Sequence, residues 1–142
     1  MTEATTDPVG VLDTSTLILI ARLDPATLPT EPVITAITLA ELSVGPLVAS
    51  DEAERASRQA RLQLAEAVFD PLPFDAQAAR AFARVAASLR RAGRKPAARA
   101  FDALIAAVAV ANELPIYTCN PTDFEGIDGL QVARVAHPDG AR

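Results

Sequence analysis

The chain has 142 residues, half of them apolar and 22% charged, with a net charge of −5, one cysteine and one histidine. That length fits a single domain whose core needs neither disulfides nor a structural metal, and Cys119 and His137 alone exclude an intrachain disulfide and a zinc set. No basic residue precedes Arg22 and the longest unbroken apolar run is Ala103 to Ala111, so neither a secretory leader nor a membrane span is expected, and a reducing, cytoplasmic setting is.

Residues 1–8 are polar and read as a loose tail. Val9-Gly10-Val11-Leu12 is the short apolar run of a strand buried on both faces, and in an open parallel sheet such a strand ends at the crevice where ligands bind. Asp13, Thr14 and Ser15 stand at that end. Asp13 is therefore a candidate functional carboxylate; the alternative is an N-cap of the helix that follows, Ser15 to about Leu23. Pro25, Pro29 and Pro32 forbid regular helix and predict a surface connection. Val33-Ile34-Thr35 is a second strand. Thr38-Leu39-Ala40-Glu41 then has the spacing of a capping box, which offers Glu41 a local role at a helix start.

Gly45-Pro46 interrupts that helix, and Asp51 to Ala67 predicts a longer one with Arg55, Arg58 and Arg61 along one flank. Val68-Phe69-Asp70 is read as a third strand. From Asp75, the stripe Phe82, Val85 and Leu89 predicts a helix that Gly93 ends. Ala98 to Asn112 is apolar nearly all round, which predicts a central, buried helix. Asp102, near its start, either complements the helix N-terminus or, among Phe101, Ala103, Leu104 and Ile105, requires a partner. Ile116-Tyr117-Thr118 is a fourth strand, Asn120-Pro121-Thr122-Asp123 a turn in which an acid is ordinary, and Leu130 to Val135 a last, edge strand before a tail over 137–142. Strands alternating with helices predict one α/β domain over 1–142, on a mostly parallel sheet.

In such a sheet Asp13, Glu41, Asp102 and Asp123 are drawn to one carboxyl-end crevice. Four local caps have no reason to share an edge. Hard oxygen ligands without His or Cys suit Mg2+, with Mn2+ as a substitute, and chemistry at phosphate, where the ion would activate water and offset the charge on phosphorus.

Four segments in this order carry a resemblance that covers nearly the whole chain: Val11-Leu12-Asp13-Thr14-Ser15; Thr38-Leu39-Ala40-Glu41-Leu42 with Gly45; Phe101-Asp102-Ala103-Leu104-Ile105-Ala106-Ala107; and Thr118-Cys119-Asn120-Pro121-Thr122-Asp123-Phe124. The chain resembles the PIN-domain ribonucleases, and within them the VapC toxins of bacterial toxin–antitoxin pairs. The resemblance implies a three-layer α/β/α fold with strand order 3-2-1-4-5, a homodimer, and a VapB-type antitoxin in the active-site groove. It implies an endoribonuclease in which Asp13, Glu41 and Asp102 are core metal ligands and Asp123 a fourth acid, with Ser15, Thr118 and Asn120 supporting them. Cys119 departs from the Arg frequent at its place, which puts in doubt a substrate contact there but not the metal site.

Although the net charge argues against indiscriminate nucleic-acid binding, ten of the thirteen basic residues fall between Arg55 and Arg99. They have two readings. As solvated helical faces they need no ligand. Beside an acidic site, Arg90, Arg91, Arg94 and Lys95 are candidate phosphate contacts that guide RNA past carboxylates that repel it. Two other functions compete. A phosphatase of the haloacid dehalogenase type needs a second Asp two residues after the first, and Ser15 stands there. A degenerate PIN scaffold that only binds partners would lack one of the acids, and none is missing.

Overall fold

A strand without a polar residue must be covered on both sides, and β1 (Val9–Leu12) is: Val11 and Leu12 are fully buried. The computed structural model describes residues 8–140. In it β1 lies between β2 (Glu31–Val33) and β3 (Ile116–Thr118), and β4 (Val132–Arg134) pairs with β3. All pairings are parallel and the order is β2-β1-β3-β4. The loose ends expected at 1–7 and 141–142 lie outside the described residues. Within the described part of those tails, the Pro8 carbonyl accepts from the Glu31 N–H and Asp139 is ion-paired with Arg22.

The expected third strand is not formed. Val68 instead closes helix α3 (Glu52–Val68), and what remains is one parallel bridge between Leu72 and Thr35. Pro71 and Pro73 are the reason, since neither carries an N–H and only Leu72 between them can pair. Its N–H donates to Ile34 O at 2.9 Å and its carbonyl accepts from Ala36 N at 2.8 Å, on the side of β2 away from β1. With that bridge in place of a strand, the order is otherwise the expected 3-2-1-4-5.

The helices follow the expected sequence with shifted ends. α1 (Thr14–Ile18) is one short helix that passes into a 3-10 turn at Ile20–Arg22. α2 (Ala36–Val44) starts earlier than the capping-box reading requires: Thr35 is its N-cap and accepts from the Thr38 N–H at 3.3 Å. Thr38 is thus inside the helix, and the box with Glu41 is not built. Asp51 and Asp75 cap α3 and α4 (Ala76–Arg91) with side-chain hydrogen bonds, as Asp at that position does. α5 (Ala100–Ala111) follows a 3-10 turn at Pro96–Arg99 and is buried along Ala103 and Ile105 to Ala109.

Side chains alternate across the sheet and divide the core in two. Val11 and Ile116 pack with Ala81, Val85 and Leu89 of α4 and Ile105 and Ala109 of α5; Leu12 and Tyr117 pack on the opposite face with Leu17, Leu42 and Ala65. The architecture is three layers, α/β/α. Its many alanines let α4 and α5 approach the sheet and each other closely. Gly10 marks the tightest point: a Cβ there would lie 2.6 Å from two ring carbons of Tyr117, itself 3% exposed, and 3.2 Å from Pro29. Gly10→Ala is therefore expected to cost about 1–3 kcal/mol by overpacking, read as a lower urea midpoint with an unchanged slope.

The connections decide what meets at the carboxyl edge. α2 follows β2 and so begins at that edge. α5 runs opposite to β3, which it precedes, so its N-terminus comes back to the same edge.

Candidate active site

Four acids converge there from four elements. Asp13 is the first residue after β1 and 2% exposed. It stands at the N-cap position of α1, yet its side chain makes no capping hydrogen bond. Its Oδ2 instead accepts from the Thr118 hydroxyl at 3.0 Å and the Ser15 hydroxyl at 3.2 Å. Asn120 braces both donors: its N–H donates to Thr118 Oγ1 at 2.9 Å and its side-chain amide to Ser15 Oγ at 3.2 Å. The supporting trio Ser15, Thr118 and Asn120 is thus assembled around one carboxylate oxygen. The other oxygen, Oδ1, is buried with no hydrogen-bond partner among the described residues. A buried acceptor is ordinarily satisfied; the Thr16 hydroxyl and N–H lie near enough to favour the charged carboxylate, yet neither closes a hydrogen bond of normal geometry on Oδ1, which is the oxygen most open to a further ligand.

Glu41 lies in the second turn of α2 and is half-buried. Thr14 donates to its Oε1 at 2.5 Å, and the Thr14 and Thr38 hydroxyls are 2.9 Å apart. The sequence places Thr14 at the strand end beside Asp13 and Thr38 in the capping-box spacing with Glu41, but the contact of Thr14 with Glu41 was not expected. Asp102 occupies the first turn of α5, where the helix N-terminus favours a negative charge. Asp123 sits in the 3-10 turn Pro121–Phe124 after β3. Arg99, also unforeseen, stands between these two: its Nη1 is 2.7 Å from Asp123 Oδ1 and 3.9 Å from Asp102 Oδ2.

The carboxylates feel one another. Burial, then the charges of Asp123, Asp13 and Glu41, push the Asp102 carboxyl up to about 6, with Arg99 opposing. Burial raises Asp13 against the pull of neighbouring hydroxyls, and burial also raises Glu41, where Thr14 opposes it and Asp13 adds to it. Among the described residues no group of three or more acids is closed into a ready-made cage. The site is a splayed ring of carboxylates with one orphaned oxygen and a guanidinium between two of its members. Its donors, all carboxylate oxygens, fit a hard divalent cation such as Mg2+ or Mn2+, and Asp13 Oδ1 is the atom most clearly left for one.

The basic residues separate into kinds. Arg91 Nη2 is 2.6 Å from Asp128 Oδ2, and Arg94 Nη1 donates to the carbonyls of Thr122 and Glu125 at 2.9 and 2.8 Å. Arg94 thereby ties the end of α4 to the turn that carries Asp123. Arg90 and Lys95 have no ion partner among the described residues and, with Phe82 and Ala86, line a cleft of about 620 Å³. Cys119 is buried in the core beside Leu12 and Val135, and its N–H donates to Thr16 Oγ1 at 3.0 Å, so the thiol faces no groove. Among the described residues no helix is long and apolar enough to cross a membrane.

Comparison with known proteins bears on this arrangement directly. The family model of the PIN domain matches residues 11–130. The chain is 42% identical over 138 residues to Ribonuclease VapC5 of Mycobacterium tuberculosis, which covers 93% of this chain and 99% of that protein. It is 38% identical over 104 residues to Ribonuclease VapC8 of the same species, covering 71% of this chain and 90% of that one. Among solved structures it is similar to the M. tuberculosis VapBC-5 complex, a member of the VapBC family of toxin–antitoxin systems. The TM-score is 0.78 at 39% identity, over 90% of this chain and 99% of that one.

Proposed function

The chain belongs to the PIN-domain family, and within it to the VapC ribonucleases of VapBC toxin–antitoxin systems, and from that membership we propose that its ring of carboxylates hydrolyses RNA with a bound divalent cation. The observation that carries the metal is the buried Asp13 Oδ1 without a hydrogen bond among the described residues, in a cluster of carboxylates that are all hard oxygen donors. Asp13 and Asp102 would hold the cation, with Glu41 beside them and Asp123 as a fourth ligand, directly or through water. When bound, Mg2+ or Mn2+ supplies a positive charge that acidifies water and offsets charge building on the phosphate.

The chain's own residues do the positioning. Thr118 and Ser15 fix the Asp13 carboxylate through Oδ2 and so leave Oδ1 free to ligate. Thr14 orients Glu41 in the same way. Because Thr118 ends β3 and Asp13 directly follows β1, its parallel neighbour, the position of Asp13 is tied to the end of the sheet. The test is direct: RNA cleavage by the purified protein is expected with Mg2+ or Mn2+, to vanish in EDTA and to return when the metal is restored. Cleavage unaffected by EDTA would overturn the metal reading.

The partner proposed alongside RNA is a VapB-type antitoxin, by analogy with the VapBC complex that the chain resembles, and a homodimer is proposed for the free protein. The RNA path follows from charge. Arg90 and Lys95 are the members of the basic set left available for phosphate, whereas Arg91 is engaged with Asp128 and Arg94 with the turn at 122–125. Replacing Arg90 and Lys95 together by Ala is expected to weaken RNA binding and to lower the slope of log K against log salt by about 1.4, at ~0.7 per phosphate contact on a single strand. An unchanged slope assigns them to a solvated face. Arg94→Ala should instead lower the melting temperature, because two carbonyls lose their donor.

A further inference from the structure

Beside the acids lies a second cleft, of about 350 Å³, lined by Glu41, Arg99, Phe101 and Asp102 together with Ala97 and Ala100. Ala97 and Ala100 also line the larger cleft that holds Arg90 and Lys95, so the two form one track that leads from the carboxylates to the basic residues. Two features of the smaller cleft are unexplained by folding. Phe101 is 55% exposed at the start of a helix buried along Ala103 and Ile105 to Ala109, immediately before Asp102. Arg99 keeps half its side chain in solvent while its Nη1 rests on Asp123. An exposed ring next to a cation is poor packing but a good receptor for a nucleotide, since a base stacks on the ring and its phosphate pairs with the guanidinium. The acids alone would repel that phosphate.

We infer that this cleft binds one nucleotide of single-stranded RNA next to the scissile phosphate, with Phe101 stacking on the base and Arg99 holding the phosphate. The inference rests on the ribonuclease reading above and adds the substrate contacts. A duplex is disfavoured because its bases are paired and stacked inward, out of reach of Phe101. The larger cleft then carries the strand onward past Arg90 and Lys95.

The test separates base from backbone. In the Asp13→Asn background, to prevent cleavage, the affinity of a fluorescein-labelled single-stranded RNA of mixed sequence is compared with that of an abasic strand of equal length. Phe101→Ala is expected to weaken the RNA about tenfold and the abasic strand not at all, with Phe101→Tyr near wild type. Arg99→Ala is expected to weaken both and to lower the salt slope by about 0.7. Circular dichroism melts check that each variant is folded, and Phe101→Leu serves as a conservative apolar control that should bind like Phe101→Ala. Unchanged RNA affinity for folded Phe101→Ala overturns the stacking role, and a change of oligomeric state in that variant by light scattering assigns the ring to a protein interface instead. Equal losses on RNA and abasic strand would likewise overturn it. Failure of the wild-type protein to cut RNA with Mg2+ would be a failure of the ribonuclease reading, and is measured separately.

Discussion

Asp13→Asn is expected to reduce RNA cleavage by at least about a thousandfold, the equivalent of ~4 kcal/mol of transition-state stabilisation, while the protein stays folded. The substitution keeps the shape of the side chain, and its amide oxygen can still accept from Thr118 and Ser15 as Oδ2 does now. What is lost is the charge, and with it the free oxygen: an NH2 group replaces an atom that has no hydrogen-bond partner among the described residues. Glu41→Gln and Asp102→Asn should have effects of the same order for the same reason. Asp123→Asn should be milder, because Arg99 already neutralises part of its charge. Cleavage of a labelled RNA with Mg2+, beside far-UV circular dichroism of each variant, measures both. Products should carry 5′-phosphate and 3′-hydroxyl ends if water, and not the 2′-hydroxyl, attacks. An Asp13→Asn protein that cuts at the wild-type rate would rule out the proposed chemistry.

The second large effect is on stability. The Asp102 carboxyl is raised to about 6 from an ordinary value of 3.8, so between those pH values the folded metal-free protein holds a proton that the unfolded chain has released. Stability must then fall as pH rises from about 4 to 6 and level off above, where both states are ionised. The magnitude is on the order of 2 kcal/mol, reduced from the full shift because the side chain keeps some solvent. Asp13 and Glu41 are raised too and act in the same direction. Melting temperature in EDTA is accordingly expected to rise by several degrees between pH 7 and pH 5. Mg2+ at pH 7 should raise it as well, since a ligand bound by the folded state alone stabilises it by mass action. Asp102→Asn removes one repelling charge and should melt higher than wild type in EDTA while losing most of the Mg2+ response. If it melts lower in EDTA, and Mg2+ shifts neither protein, Asp102 serves the helix N-terminus and not a metal.

Both results test whether carboxylates scattered over 110 positions act as one site, and the sequence already carried much of that reading. β1 and β3 were legible because Val9 to Leu12 and Ile116 to Thr118 are apolar runs too short for helices, and the buried helix because Ala100 to Ala111 has no polar face. The four acids could be named because each follows a strand or heads a helix at the carboxyl edge of a parallel sheet. Where local pattern competed with long-range pairing it misled. Val68-Phe69-Asp70 has strand-like residues, but α3 continues through Val68 and the flanking Pro71 and Pro73 leave only Leu72 able to pair. Thr38 and Glu41 have capping-box spacing, but the bridge at Thr35 starts α2 three residues sooner.

What the sequence by itself determined was therefore the fold class and which acids stand after a strand or at the head of a helix, because periodicity and residue type are local properties that any single chain displays. The tertiary structure alone decided how those acids are held: that Thr118 braces Asp13 across 105 residues, that Thr14 and not a cap orients Glu41, and that Arg99 rests on Asp123. It also decided which basic residues remain for a ligand, leaving Arg90 and Lys95 available while Arg91 and Arg94 are engaged at Asp128 and the 122–125 turn. These are pairings between residues distant in the chain. They depend on strand register and on which helix end returns to which edge, and composition and spacing carry no record of either.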